Sequence, residues 1–95
     1  MKYVCYYEYD PKDLDEVIDR FMKMVPLRDT DDYPTAISTT YGHGGQDKGF
    51  TIYEVDNQQQ IINHHIHYTP VLKVKWIPLI ESSDFVATYR KKKAS

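Results

Sequence analysis

The chain has 95 residues, a formal net charge of −2 at neutral pH and a single cysteine. That length holds one domain, residues 1–95, with one modest core. The charge excludes a dedicated nucleic-acid binder, and a lone Cys5 excludes an intrachain disulfide and a multi-cysteine metal site.

Residues 3–9, Tyr-Val-Cys-Tyr-Tyr-Glu-Tyr, are apolar on both faces and predict a first strand in the middle of a sheet. Residues 1–8 carry a charge within their apolar run and no small-residue cleavage site, and no apolar stretch approaches membrane-spanning length. The expectation is a cytoplasmic protein with no membrane partner. Asp10-Pro11, with Asp13 three residues on, signals the start of a helix whose apolar stripe is Leu14, Val17, Ile18, Phe21 and Val25, widened by Met24. Pro26 stops it, and a charged loop over residues 28–33 leads to Pro34.

Residues 35–41 are more polar and predict a strand at a sheet edge. All four glycines follow in residues 42–49, and residues 50–55 predict a third strand. Asp56 or Asn57 caps a second helix reaching Tyr68, on which the wheel groups Ile61, Ile62, His65 and Ile66 on the sheet side. His64 and His67 fall with Gln60 on the other side, and the two histidines are expected to be solvated. Pro70 stops this helix. A fourth strand covers residues 71–80, and Ser82 or Ser83 opens a short helix carrying Phe85, Val86 and Tyr89. The basic run Arg90 to Lys93 is expected to lie in a flexible tail, residues 90–95.

The order β-α-β-β-α-β predicts an α+β, ferredoxin-like fold: a four-stranded antiparallel sheet of order 4-1-3-2 with two helices on one face. The other face is left with Tyr and aliphatic groups, so a sheet-to-sheet homodimer is expected. The last strand, Val74-Lys75-Trp76-Ile77-Pro78-Leu79, followed by Glu81-Ser82-Ser83, resembles a family of small proteins, domain of unknown function 3303. The likeness extends back through residues 56–78 and, in pattern, to the first strand and helix. More distantly the chain is similar to the dimeric α/β-barrel superfamily. That resemblance implies sheet-to-sheet pairing and a ligand cleft beside the sheet, in a superfamily that includes monooxygenases, isomerases and haem-handling enzymes.

The candidate site residues follow from these placements. An inward His65 needs a polar partner or a polar pocket, so a ligand cleft is expected between sheet and second helix, ringed by His65, Tyr3, Tyr7, Tyr41, Tyr53 and Tyr68. His43 and Lys48, in the glycine cluster, stand either at the lip of that cleft or in a plain hairpin turn that needs positive φ. His64 and His67 share a helical face but lack a third ligand, so no metal is expected. Cys5 reads as a small buried hydrophobe, and Glu8 as a cross-strand neighbour of Lys73 or Lys75. Trp76 is placed with Leu72 and Val74, in the core or at the dimer contact.

No catalytic residue can be named, and no cofactor is expected. The leading expectation is a small-ligand-binding or structural homodimer without covalent chemistry. Its rivals are a cofactor-free or haem-linked enzyme of the dimeric-barrel kind and partner binding through the basic tail.

Overall fold

In the computed structural model, residues 1–28 and 30–94 are described. Residue 29 of the charged loop and residue 95 of the tail lie outside them. The strands are β1 (Lys2–Glu8), β2 (Thr35–Ala36), β3 (Tyr41–Gly42), β4 (Lys48–Glu54) and β5 (Lys73–Pro78). The helices are α1 (Leu14–Met24), α2 (Gln58–Tyr68) and α3 (Ser82–Ala94). All strand pairs are antiparallel, and the order is β2-β4-β1-β5, with β3 also on β4. β1 is central, as an element apolar on both faces requires.

The expected second strand is broken into β2 and β3. At the break, the Ser38 hydroxyl accepts from the Ile52 backbone N–H at 2.9 Å and Thr40 bonds to Thr51 through their hydroxyls at 2.8 Å. Side chains thus replace the ladder bonds that residues 38–40 would otherwise make.

α1 begins after a 3-10 turn in which Asp10 caps Lys12 at 3.0 Å, and a second such turn, Val25–Leu27, follows it. Val17 and Met24 are buried, whereas Leu14, Ile18 and Val25 stay exposed. Only part of the apolar stripe therefore meets the sheet. Asn57 caps α2, accepting from Gln60 at 3.1 Å. α1 and α2 are tied together by Arg20, whose Nη1 donates to the carbonyls of His67 and Thr69 at 2.9 and 2.7 Å. His67 Nε2 in turn donates to the Arg20 carbonyl at 2.7 Å.

Register sorts the side chains onto two faces. Cys5 opposite Trp76 and Tyr7 opposite Val74 point toward the helices, with Thr51, Tyr53 and Val55 of the β4 side. Val4 opposite Ile52 and Ile77, and Tyr6 opposite Phe50, lie on the open face. Tyr41 and His43 join Phe50 there, with ring centroids 5.3 and 6.2 Å from it. Glu8 stands between Lys48 and Lys73 in register.

α3 runs on through residues 90–94, the stretch read as tail, and each of its described residues is exposed. The radius of gyration is 16.0 Å, against about 12 Å for a compact chain of this length. α3 accounts for the excess by projecting from the body.

Trp76, the sole tryptophan, sits in the core, edge-on to Tyr3 and beside Tyr53 and His64. A blue-shifted emission weakly quenched by iodide is the expected result. A red-shifted, readily quenched emission would place it on the open face instead.

Candidate functional site

A cavity of about 290 Å³ lies between the sheet and the two packed helices. β1 and its extension supply Cys5, Tyr7 and Tyr9; β4 supplies Thr51 and Tyr53. α1 contributes Leu14, Val17, Ile18 and Phe21, and α2 contributes His64 and Tyr68. Leu14 and Ile18 are exposed, so the mouth opens beside the first turns of α1.

Of the residues expected around a cleft, Tyr7, Tyr53 and Tyr68 line this one. Tyr3 packs on Trp76 away from it, and Tyr41 is on the exposed β3, reached only through the Tyr7 hydroxyl donating to its carbonyl at 3.5 Å. His43 and Lys48 line a separate hollow of about 200 Å³ with Tyr6, Glu8, Lys73 and Lys75. The glycine cluster itself closes a hairpin, with Gly45 alone among the glycines at positive φ, 73°.

His65 requires a correction. It is exposed, sharing a bond with the Thr69 hydroxyl at 3.2 Å, while His64, expected to be solvated, is 3% exposed and faces the sheet. The buried row of α2 is Gln60, His64 and Tyr68, at i, i+4, i+8. Three isoleucines bias the wheel toward the wrong side; Ile62 and Ile66 are exposed. What turns the helix is polar anchoring. Gln60 accepts from the Asp56 N–H at 2.8 Å and donates to the Asp31 carbonyl at 2.9 Å. Tyr68 meanwhile packs with Val17, Met24 and Leu72. The four-residue spacing of Gln60, His64 and Tyr68, ending on a large aromatic, is the one sequence signal that would have found this face.

His64 is enclosed by aromatic rings: Tyr68 at 4.8 Å, Trp76 at 5.0 Å and Tyr53 at 5.6 Å between centroids. Burial, and then the charges of His67, Arg28 and His65, lower its pKa to about 3. Burial pushes the Cys5 thiol and the Tyr53 phenol each up to about 12, and raises Tyr68 and Tyr7 as well. At neutral pH these groups are all uncharged. The cavity thus offers an apolar wall set with neutral hydroxyls, a thiol and an imidazole. A thiol held protonated is a poor nucleophile, and an imidazole titrating near 3 is a weak general base.

Among the described residues four buried nitrogens have no hydrogen-bond partner: Nδ1 of His64, which lines the cavity, and, outside its lining, Nε1 of Trp76 and Nε and Nη2 of Arg28. Sequence reasoning gave Arg28 no role beyond the loop. Among the described residues no group of three His, Cys, Asp or Glu side chains is placed to hold a metal. His64 is walled in by rings and His67 is committed to Arg20, so the pair does not form half of such a site.

Residues 1–93 match the family described as Domain of unknown function (DUF3303). No curated protein matches the chain. A crystal structure of an antibiotic biosynthesis monooxygenase is similar in fold, with a TM-score of 0.55 and 14% sequence identity over 85% of this chain and 100% of that one. The chain belongs to the DUF3303 family, on a ferredoxin-like α+β fold.

Proposed function

We propose, starting from that membership, that the protein is a homodimer that binds a small, largely apolar molecule between its sheet and helices without covalent chemistry. The observation that carries this reading is the cavity itself: its walls are aromatic and aliphatic, with a few neutral hydroxyls, a thiol and an imidazole whose buried Nδ1 has no partner among the described residues. That is the usual make-up of a small-molecule site. The neutral state of Cys5, Tyr53 and His64 supports binding over acid–base or nucleophilic work.

Dimerisation has separate support. On the open face Ile77, 36% exposed, and Ile52 flank an already buried Val4, beside the Tyr6–Phe50–Tyr41 cluster, in which Tyr6 is 40% and Tyr41 51% exposed. Lysines and glutamates flank this patch. Covering it with the same face of a second chain removes apolar surface from water.

Native mass spectrometry of gently purified protein tests both parts. At micromolar concentration we expect twice the chain mass, with a small-molecule adduct released on activation. Ile18→Trp, which fills the cavity mouth from an exposed position, should leave the dimer and abolish the adduct. A monomer throughout the micromolar range counts against the dimer. An adduct unchanged in Ile18→Trp places the ligand elsewhere.

A further inference from the structure

We propose that α3 of one copy docks antiparallel along the exposed apolar stripe of α1 in a second copy, and so closes the mouth of that copy's cavity. This rests on the homodimer of the reading above and names what each subunit adds to its partner's site.

α3 is a helix with no surface beneath it. Each of its described residues is exposed, Phe85, Val86 and Tyr89 included. A lone helix of 13 residues is marginal in water even when built from the best helix formers. Aromatic and β-branched side chains are poorer ones, so α3 needs a surface to dock on. Phe85, Tyr89 and Lys93 recur at four-residue spacing and share one face. The rings of Phe85 and Tyr89 stack with centroids 6.3 Å apart, and the Lys93 ammonium lies 5.7 Å over Tyr89. That face is apolar in its first half and basic in its second.

α1 carries the complement. Val17 and Met24 are buried, while Leu14, Ile18, Met22 and Val25 form an exposed stripe beside them. Acidic residues gather at the start of the helix. Glu16 and Asp19 pair with Arg20 and Lys23, whereas Asp13 and Asp15 have no ion pair among the described residues. Laid antiparallel, the two helices match at each turn, because both rise about 1.5 Å per residue. Phe85 meets Met22, Tyr89 meets Ile18, and Lys93 meets Leu14 and the Asp15 carboxylate. A parallel arrangement would instead carry Lys93 past the carboxylates, to Pro26. The antiparallel order also opposes the two macrodipoles and sets a basic last turn against an acidic first turn.

The reach suffices. Residues 79–81 span about 10 Å when extended, and α3 adds about 20 Å. Stacked sheets lie about 10 Å apart and a helix is about 10 Å across, so α3 extends to the helix layer of a partner paired sheet to sheet. Leu14 and Ile18 border the cavity mouth, and the partner's Tyr89 then lies over it.

Disulfide trapping in the whole chain tests this, since the sole native cysteine, Cys5, is buried. All four positions to be altered are exposed. Met22→Cys/Phe85→Cys and Ile18→Cys/Tyr89→Cys, each oxidised with copper phenanthroline at micromolar concentration, should run as covalent dimers on a non-reducing gel. Each of the four single variants should stay monomeric there. The crossed variants, Ile18→Cys/Phe85→Cys and Met22→Cys/Tyr89→Cys, should give at least fivefold less dimer. Equal or greater trapping in the crossed variants overturns the antiparallel docking. A link within one chain, a link in a single variant, or no link in a protein whose native mass is that of a dimer overturns it too and leaves the sheet-face dimer standing. A native mass of one chain overturns both.

Discussion

Gly49→Ala is expected to lower stability by about 3 kcal/mol or more, enough to lower the melting temperature by more than about 12 °C in a domain of this size. Gly49 is buried in β4 between Tyr7 of β1 and Gly42 of β3. A Cβ there would collide with the carbonyl oxygen of Tyr41 and with the hydroxyl end of Tyr7, whose Cζ lies 2.6 Å away. Neither neighbour yields cheaply. The carbonyl belongs to the β3–β4 pair, and the phenol lines the cavity. The glycine is required by space rather than by backbone conformation. Gly44→Ala is the matched control: nothing lies within 4 Å of its Cβ, so a change within about 0.5 kcal/mol is expected. Thermal melts of both variants check the contrast. Equal melting temperatures would mean that β3 does not approach β4 as described.

The second large effect is acid sensitivity through His64. Its pKa falls from 6.5 to about 3 on folding, so between these values the unfolded chain takes up a proton that the folded chain refuses. Stability from this group is therefore fully present above pH 6.5 and is lost as the pH falls toward 3. The loss is at most about 1.4 kcal/mol per pH unit. Urea unfolding at pH 6.5 and pH 4.5 should show the unaltered protein losing roughly 2–3 kcal/mol more than His64→Phe, which keeps a ring among Tyr53, Tyr68 and Trp76 but cannot be protonated. Parallel losses in the two proteins would show that His64 is not held neutral by burial. Comparing the pair removes the carboxylates that titrate in the same range.

Much of the architecture was legible because it depends on local pattern. The apolar run of residues 3–9 put β1 at the centre of the sheet, Asp10 and Asn57 marked the entries to two helices, and the order of elements left one sheet order. Of the five tyrosines expected around a cleft, Tyr7, Tyr53 and Tyr68 do line one, whereas Tyr3 and Tyr41 do not. Alternation on the last strand put Trp76 on one side with Val74 and left core and dimer contact open; its packing on Tyr53 and His64 decides for the core.

What the tertiary structure alone decided was the rotation of α2, the break in the second strand and the place of Arg28. A helical wheel weighs apolar residues, and on α2 it favoured Ile62 and Ile66, of which the latter is 66% exposed. The buried side is instead polar and aromatic. Gln60 is satisfied by Asp56 and by Asp31, 29 residues distant, and His64 is accepted by rings from β4 and β5. A buried polar side chain is stable only where distant groups meet it, so the apolar pattern of residues 58–68 points away from that face and only the spacing of Gln60, His64 and Tyr68 marks it. The same holds for the Thr40–Thr51 bond that breaks the strand and for Arg28, whose charge reaches cavity groups on β4 and α2 only after the chain has closed upon itself. Periodicity and caps determine which elements form and in what order. The partners brought by folding determine which polar groups are buried, and with them the chemistry of the cavity.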